Sequence, residues 1–192
     1  MKYNLNKIPA LCCLLLAAVF MFSCEEDDNK KEWGNTKVYM PQAAMLNGGL
    51  TNNNYPVPLN NNAATKNYKL DEANKILQVY LGVYRSGLQK LESYSVQVAA
   101  DNAATASYVA GNANRIALPS DAYTLPDNAT VPDGERETIF YLTVDLKKLG
   151  EDFLSKNIVL IVGISNPSKY ELNESLSKTT VIINGSFFLP NE

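Results

Sequence analysis

Acid–base catalysis needs groups that exchange protons in pairs, and one carboxylate pairing stands out here. Glu135 and Glu137 are spaced i, i+2, which puts both side chains on one face of a strand. Glycosidic cleavage uses two carboxyl groups held at roughly 5–9.5 Å. Two acids beside the turn signal Asp133-Gly134 read instead as solvated surface. Histidine is absent from the whole chain. That removes the usual general base, the commonest zinc ligand and the neutral-pH switch. The three cysteines, Cys12, Cys13 and Cys24, all fall near the N-terminus, so the remainder carries no thiol nucleophile and no disulfide. Neither a Gly-rich phosphate loop nor an Asp-rich calcium loop is present. The expectation is a protein that is no enzyme and that uses no cofactor and no metal.

Recognition without catalysis needs different residues. Flat aromatic rings can cover the C–H faces of a sugar, while planar amides and hydroxyls bond its OH groups. The candidates are Trp33, Tyr55, Tyr68, Tyr80, Tyr84 and Tyr108, together with the asparagines of the 47–67 stretch. Each has a structural alternative. Trp33 can pack on the domain from the end of a tether, and Tyr80 and Tyr84 can fill a sheet face. Tyr123 is read as packing under its own loop. Asn128, Asn173 and Asn184 begin N-x-[ST] sequons and are read as turn and loop polar residues. The overall balance of 17 basic and 20 acidic residues argues against nucleic acid, whose binders need a basic stripe.

The elements that must position these residues are strands. Lys75 to Arg85 alternates strictly, with Leu77, Val79, Leu81 and Val83 on one face and Ile76, Gln78, Tyr80, Gly82 and Tyr84 on the other. Arg136 to Leu146 repeats the pattern with Phe140, Leu142, Val144 and Leu146. Tyr94 to Ala100 alternates as well. Asn157 to Ser165 is almost continuously apolar, as in a central strand covered on both faces. Lys37 to Gln42 reads as a short strand, in which Pro41 suits an edge or a strand end. Residues 47–67 read as a long loop with one extended piece at Tyr55 to Leu59. Ala103 to Ala113 suits a helical turn, and Lys147 to Leu154 a short helix with Leu149 and Phe153 inward. Ile116 to Pro119 and Tyr123 to Pro126 read as extended pieces. Lys178 to Leu189 closes the domain, with a bulge or turn at Asn184-Gly185. The predicted fold is all-β, a β-sandwich of about seven strands with one or two short helical turns.

The first residues address the chain. Lys2 and Lys7 precede the uncharged run Leu11 to Phe22, the right length for a signal-peptide core of roughly 7–15 residues. Phe22-Ser23-Cys24 resembles the bacterial lipobox, although Met21 stands where leucine is favoured. The resemblance implies cleavage before Cys24 and acylation of its thiol and amine. Without the two signal lysines the chain is net −5, from 15 basic and 20 acidic residues. Glu25 to Asp28 follows as an acidic tether, and it resembles the surface-export signal of Bacteroidetes lipoproteins. The expected divisions are a signal at 1–23, a tether at 24–35 and one sandwich domain at 36–192. The expected location is the outer membrane, lipid-anchored and facing outward.

A family resemblance rests on five segments: Val38 to Ala43, Val79 to Gly87, Leu118 to Leu125, Val131 to Glu135 and Phe140 to Leu146. Their order and spacing, over residues 36–189, look like the Bacteroidetes domain of unknown function 1735. That resemblance implies an immunoglobulin-like sandwich of the kind found at the N-terminus of surface lipoproteins in glycan-utilisation loci. It implies a glycan-binding or accessory module, with polysaccharide or outer-membrane uptake proteins as partners beside the lipid bilayer. The rival reading is a structural spacer or assembly module, which a large exposed apolar patch would favour; a glycoside hydrolase ranks last. Many relatives carry a second domain, and no activity of such a domain is carried over to this chain.

Overall fold

The computed structural model describes residues 36–44, 53–59, 66–87 and 90–188. The expected signal and acidic tether, with Cys24 and Trp33, lie outside the described residues. Strict alternation along the strongest segments builds two sheets of six strands each. The first sheet contains β1 (Lys37–Tyr39), β3 (Tyr68–Asp71), β4 (Ile76–Arg85), β7 (Tyr123–Thr124), β9 (Glu137–Asp145) and β11 (Glu171–Leu172). The second contains β2 (Asn54–Val57), β5 (Tyr94–Ala100), β6 (Arg115–Ala117), β8 (Asn128–Val131), β10 (Asn157–Ser165) and β12 (Lys178–Asn184). The order is β11-β1-β4-β9-β7 in the first sheet, with β3 also on β4, and β2-β12-β10-β5-β8 in the second, with β6 also on β10.

The core is the space between the two inner faces. Leu77, Val79, Leu81 and Val83 of β4 and Leu142 and Val144 of β9 are almost fully buried, as are Ile158, Leu160 and Val162 of β10 and Val181 and Ile183 of β12. Each such side chain removed from water contributes about 1.5–3 kcal/mol. The all-β sandwich and the burial rows therefore follow the sequence pattern. The described strands number twelve against the expected seven, because several are edge pieces of only two to four residues. Among them, β3, β8 and β11 have no counterpart in the sequence reading. Among the described residues no helix is long and apolar enough to cross a membrane.

Short helices interrupt the strands at defined places. Pro41 does not end a strand that reaches Gln42; it opens helix α1 (Pro41–Ala44). Proline suits the first helical position because its missing N–H has no partner there anyway. Helix α2 (Asn102–Val109) begins at an Asp101 cap, whose carboxylate accepts from the Ala104 N–H at 2.9 Å. Helix α3 (Glu151–Leu154) follows a 3-10 turn at Leu146–Lys148, with Leu149 buried and Phe153 packed on the core. Gly185, which opens the last 3-10 turn (Gly185–Phe188), fits only as glycine: a Cβ there would lie 2.6–2.7 Å from three carbonyl oxygens.

Two of these helices fill gaps in the sheets. One edge of β4 is shared by β3 at residues 76–79 and β1 at 84–85. Between them, the Gly82 N–H donates to Oε1 of buried Gln42 in α1 at 3.1 Å, and the Tyr80 N–H donates to the Asn67 carbonyl at 3.0 Å. The second sheet repeats the device. One edge of β10 is shared by β6 at 157–159 and β5 at 162–165. In the gap the Ile161 N–H donates to Oγ1 of buried Thr105 in α2 at 2.9 Å, and the Ile161 carbonyl accepts from the Asp101 N–H at 2.8 Å. Buried backbone groups cost free energy when unpaired, so a side chain takes the place of the missing strand in each sheet.

Candidate functional site

Alternation that buries one row of β4 and β9 must expose the other. On the outer face of the first sheet, the register places Tyr39 beside Tyr84 and Tyr84 beside Glu137, then Gly82 beside Ile139, then Tyr80 beside Tyr141. The next row runs Lys69, Gln78, Thr143, Thr124 across four strands. Tyr39 and Tyr84 have ring centroids 5.3 Å apart at a tilt of 50°. Tyr80 and Tyr141 meet edge to face at 5.5 Å and 72°. Such pairs hold one another in place, which fixes their ring faces at low entropic cost. Gly82 keeps the row between them low; a Cβ there would meet the Thr138 carbonyl at 3.2 Å and the Pro41 ring at 3.5 Å.

Around the two ring pairs this face offers neutral hydrogen-bonding groups, with Glu137 and Lys69 at its margins. Burial, and then the neighbouring Tyr84, push the Tyr39 hydroxyl above its ordinary value, so it stays protonated and able to donate. Gln78, Thr143 and Thr124 add amide and hydroxyl groups within two rows of the rings. Fixed ring faces beside neutral hydrogen-bonding groups can hold a polyol. Glu135 and Glu137 are exposed, on the turn before β9 and at its start. Among the described residues no group of three or more His, Cys, Asp or Glu could hold a metal ion.

The structure divides the tyrosines singled out from the sequence. Tyr80 and Tyr84 share the outer face just described. Tyr55 is 4 % exposed on the inner side of β2, and burial raises its hydroxyl although the hydrogen bond with Asn67 opposes this. Tyr68 is 7 % exposed and packs edge-on against Phe188 at 5.2 Å and Phe187 at 6.1 Å. Both belong to the core, and neither can present a ring face to a ligand. Tyr108 lies on α2, with the Arg115 guanidinium 4.4 Å from its ring centre and its hydroxyl 3.3 Å from Asn54 Oδ1. One face of that ring is already covered by a cation. Tyr39 and Tyr141 were not singled out, although both lie on strands that the pattern reveals. The signal was available: Tyr141 is the outward residue of β9 that falls opposite Tyr80 once the inner rows of the two strands are aligned.

Sequence reading also missed Arg85. Its side chain is 0 % exposed at the end of the inner row of β4. Nη1 donates to the Lys90 carbonyl at 3.0 Å, and the guanidinium lies 4.8 Å from the Tyr170 ring centre. Tyr170 in turn meets Tyr94 edge-on at 5.3 Å. Burial pushes the Tyr94 hydroxyl far up, so it is neutral throughout the physiological range. This cluster lies at one end of the sandwich.

Comparisons with known proteins bear on the whole arrangement. A family model described as a "-like, N-terminal domain" matches residues 34–171. Among solved structures, a protein of unknown function from Bacteroides ovatus is similar at a TM-score of 0.51 and 14% identity, covering 78% of this chain and 46% of that one. A multidomain protein including DUF1735, also from Bacteroides ovatus, is similar at a TM-score of 0.47 and 14% identity, over 60% of this chain and 38% of that one. An auxiliary nutrient binding protein from Bacteroides thetaiotaomicron gives a TM-score of 0.47 and 18% identity, over 68% and 42%. The chain thus spans less than half the length of these structures. No match is found among curated proteins.

Proposed function

We propose a function from one premise: the chain belongs to the family of N-terminal domains like domain of unknown function 1735. Its role is that of a non-catalytic accessory module in glycan utilisation, which binds neutral polysaccharide on the outer face of the first sheet. Acylated Cys24 holds it to the outer membrane, facing outward. The observation that supports this reading most is the pairing of Tyr39 with Tyr84 and Tyr80 with Tyr141 on one exposed face, bordered by Gln78 and Thr143. Each acyl chain would contribute about 0.8 kcal/mol per buried CH₂, so several chains on one cysteine give stable anchoring.

Affinity electrophoresis of the full chain through gels containing plant and host polysaccharides tests the binding. Retardation by at least one neutral glycan is expected, with Tyr80→Ala and Tyr141→Ala each restoring most of the free mobility. Unretarded migration in every gel would count decisively against the binding role. Anchoring is tested separately: radiolabelled palmitate should enter the wild-type chain and not Cys24→Ala.

A further inference from the structure

The two sheets leave one seam open. In an antiparallel ladder, successive residues direct their backbone groups to opposite edges. The Arg85 N–H donates to the Arg136 carbonyl at 2.9 Å, so residues 138, 140 and 142 face β4, while 137, 139 and 141 face away. On that far edge β7 pairs only with Thr143 and Val144, and the Asp145 N–H donates to the Ala122 carbonyl at 2.8 Å. Among the described residues, neither strand nor side chain pairs with the backbone of Ile139 and Tyr141. The facing strand β8 has the same character. The Val98 N–H donates to the Asp127 carbonyl at 2.9 Å, which turns the backbone groups of Asn128 and Thr130 toward the seam. Between the two edges lies a groove of about 460 Å³, lined among others by Thr124, Asn128, Thr130, Ile139 and Tyr141.

Sheet edges are ordinarily blunted with lysine, proline or a bulge, because bare edges recruit other chains. This one carries none of these. Instead it displays Ile139 at 63 % exposure and Tyr141 at 43 %, two of the three large hydrophobic residues that stand exposed among the described residues. The groove-lining residues carry no charge, and the exposed acids Asp127, Glu135 and Glu137 flank it in the chain.

We propose that the 137–141 edge of β9 is a docking site for an extended polypeptide segment of a partner protein, added as a further strand. Backbone pairing with Ile139 and Tyr141 supplies affinity, and alternate side chains supply selectivity. The flanking acids select a strand of β-branched residues bracketed by lysine or arginine. Five residues of edge accept about 17 Å of strand, at roughly 3.4 Å per residue. This site shares Tyr141 with the glycan reading but uses the backbone edge where that reading uses the ring faces.

The test is amide hydrogen exchange on the full chain with the blocked peptide KVTVTVK, with a version carrying proline at its central residue, and with the acid-bracketed EVTVTVE. The expected result is at least tenfold slower exchange at Ile139 and Tyr141 with KVTVTVK alone. Ile139→Pro, which deletes one donor, should abolish the protection. If that variant unfolds, Ile139→Lys, which adds a like charge and keeps the strand, should weaken it at least fivefold. Tyr80→Ala should leave the peptide response intact even where it destroys glycan retention. Unchanged exchange at millimolar peptide overturns the proposal, and so does equal protection by the proline version. A concentration-dependent dimer that protects the same amides without peptide would give the edge to a second copy. Protection by a polysaccharide would give it to the sugar site. Either result overturns the assignment to a partner segment.

Discussion

The central pair of the first sheet, β4 and β9, has two outer edges, and they are finished in opposite ways. Along β4 the edge is closed by three unrelated pieces: β3, the side chain of Gln42, and β1. Along β9 only the two residues of β7 pair, and the edge at Ile139 and Tyr141 stays open. Both strands bury equally good inner rows, so hydrophobic demand does not explain the difference. The chain has diverted a helix to satisfy one N–H on β4 while leaving the edge of β9 bare. Closure on the β4 side belongs to stability, and openness on the β9 side is available for binding.

Removing what the two edges share should have the largest effect. Leu81 lies under the middle of the sheet at 1 % exposure. Leu81→Ala should destabilise the domain by about 2–5 kcal/mol, read by urea denaturation. A loss well below that range would mean the core relaxes around the cavity and the two-layer contact is loose. Next is the closed edge itself: Gln42→Ala strips the partner from the buried Gly82 N–H and should cost about 1–3 kcal/mol. If stability is unchanged, the side chain is no substitute for a strand and the contrast between the edges fails.

The second sheet sharpens the comparison through Asp101, which caps α2 and so holds Thr105 in the β10 gap. Asp101→Ala should cost about 1 kcal/mol, the usual worth of an N-cap. The Asp101 carboxyl is held below its ordinary value, first by the hydrogen bond from Lys178 and then by the Ala104 N–H. Its contribution is therefore complete above the unfolded value of about 4 and disappears as pH falls through the lower folded value. The denaturation midpoints of wild type and variant should converge in strong acid; a gap that persists there would remove the carboxylate from the account. The smallest effect belongs to the open edge. Ile139→Lys should change stability by no more than about 0.5 kcal/mol, although the residue sits mid-strand. A large loss would show that this edge is part of the packed structure.

Much of the sandwich was legible because its long strands carry period-two burial. In β4, β5 and β9 the inner rows could be named residue by residue, and they are the rows that the structure buries. Short strands carry too few residues to establish a period, so β3, β8 and β11 escape the sequence pattern altogether. Pro41 is ambiguous because proline ends strands and begins helices for the same reason, its missing N–H. Arg85 defied the reading because a charge implies exposure until a carbonyl and an aromatic ring are known to meet it. At the candidate site, Tyr80 and Tyr84 could be placed on the outward row. Tyr55 and Tyr68 could not be excluded, since their burial depends on strands too short to recognise. The open edge was invisible for another reason: an unpaired backbone is a property of strand order, which alternation does not encode.

The close approach of α1 to Gly82 carries a consequence for how the ladder finds its alignment. If β4 slid by one residue, Leu81 would swing out to solvent, and a residue with a Cβ would stand where Gly82 now lies against the Thr138 carbonyl and the Pro41 ring. A single missing side chain thus works as a pawl on a ten-residue strand: it engages in one setting, and it adds a steric penalty to the neighbouring settings that hydrophobic packing alone would have to discriminate.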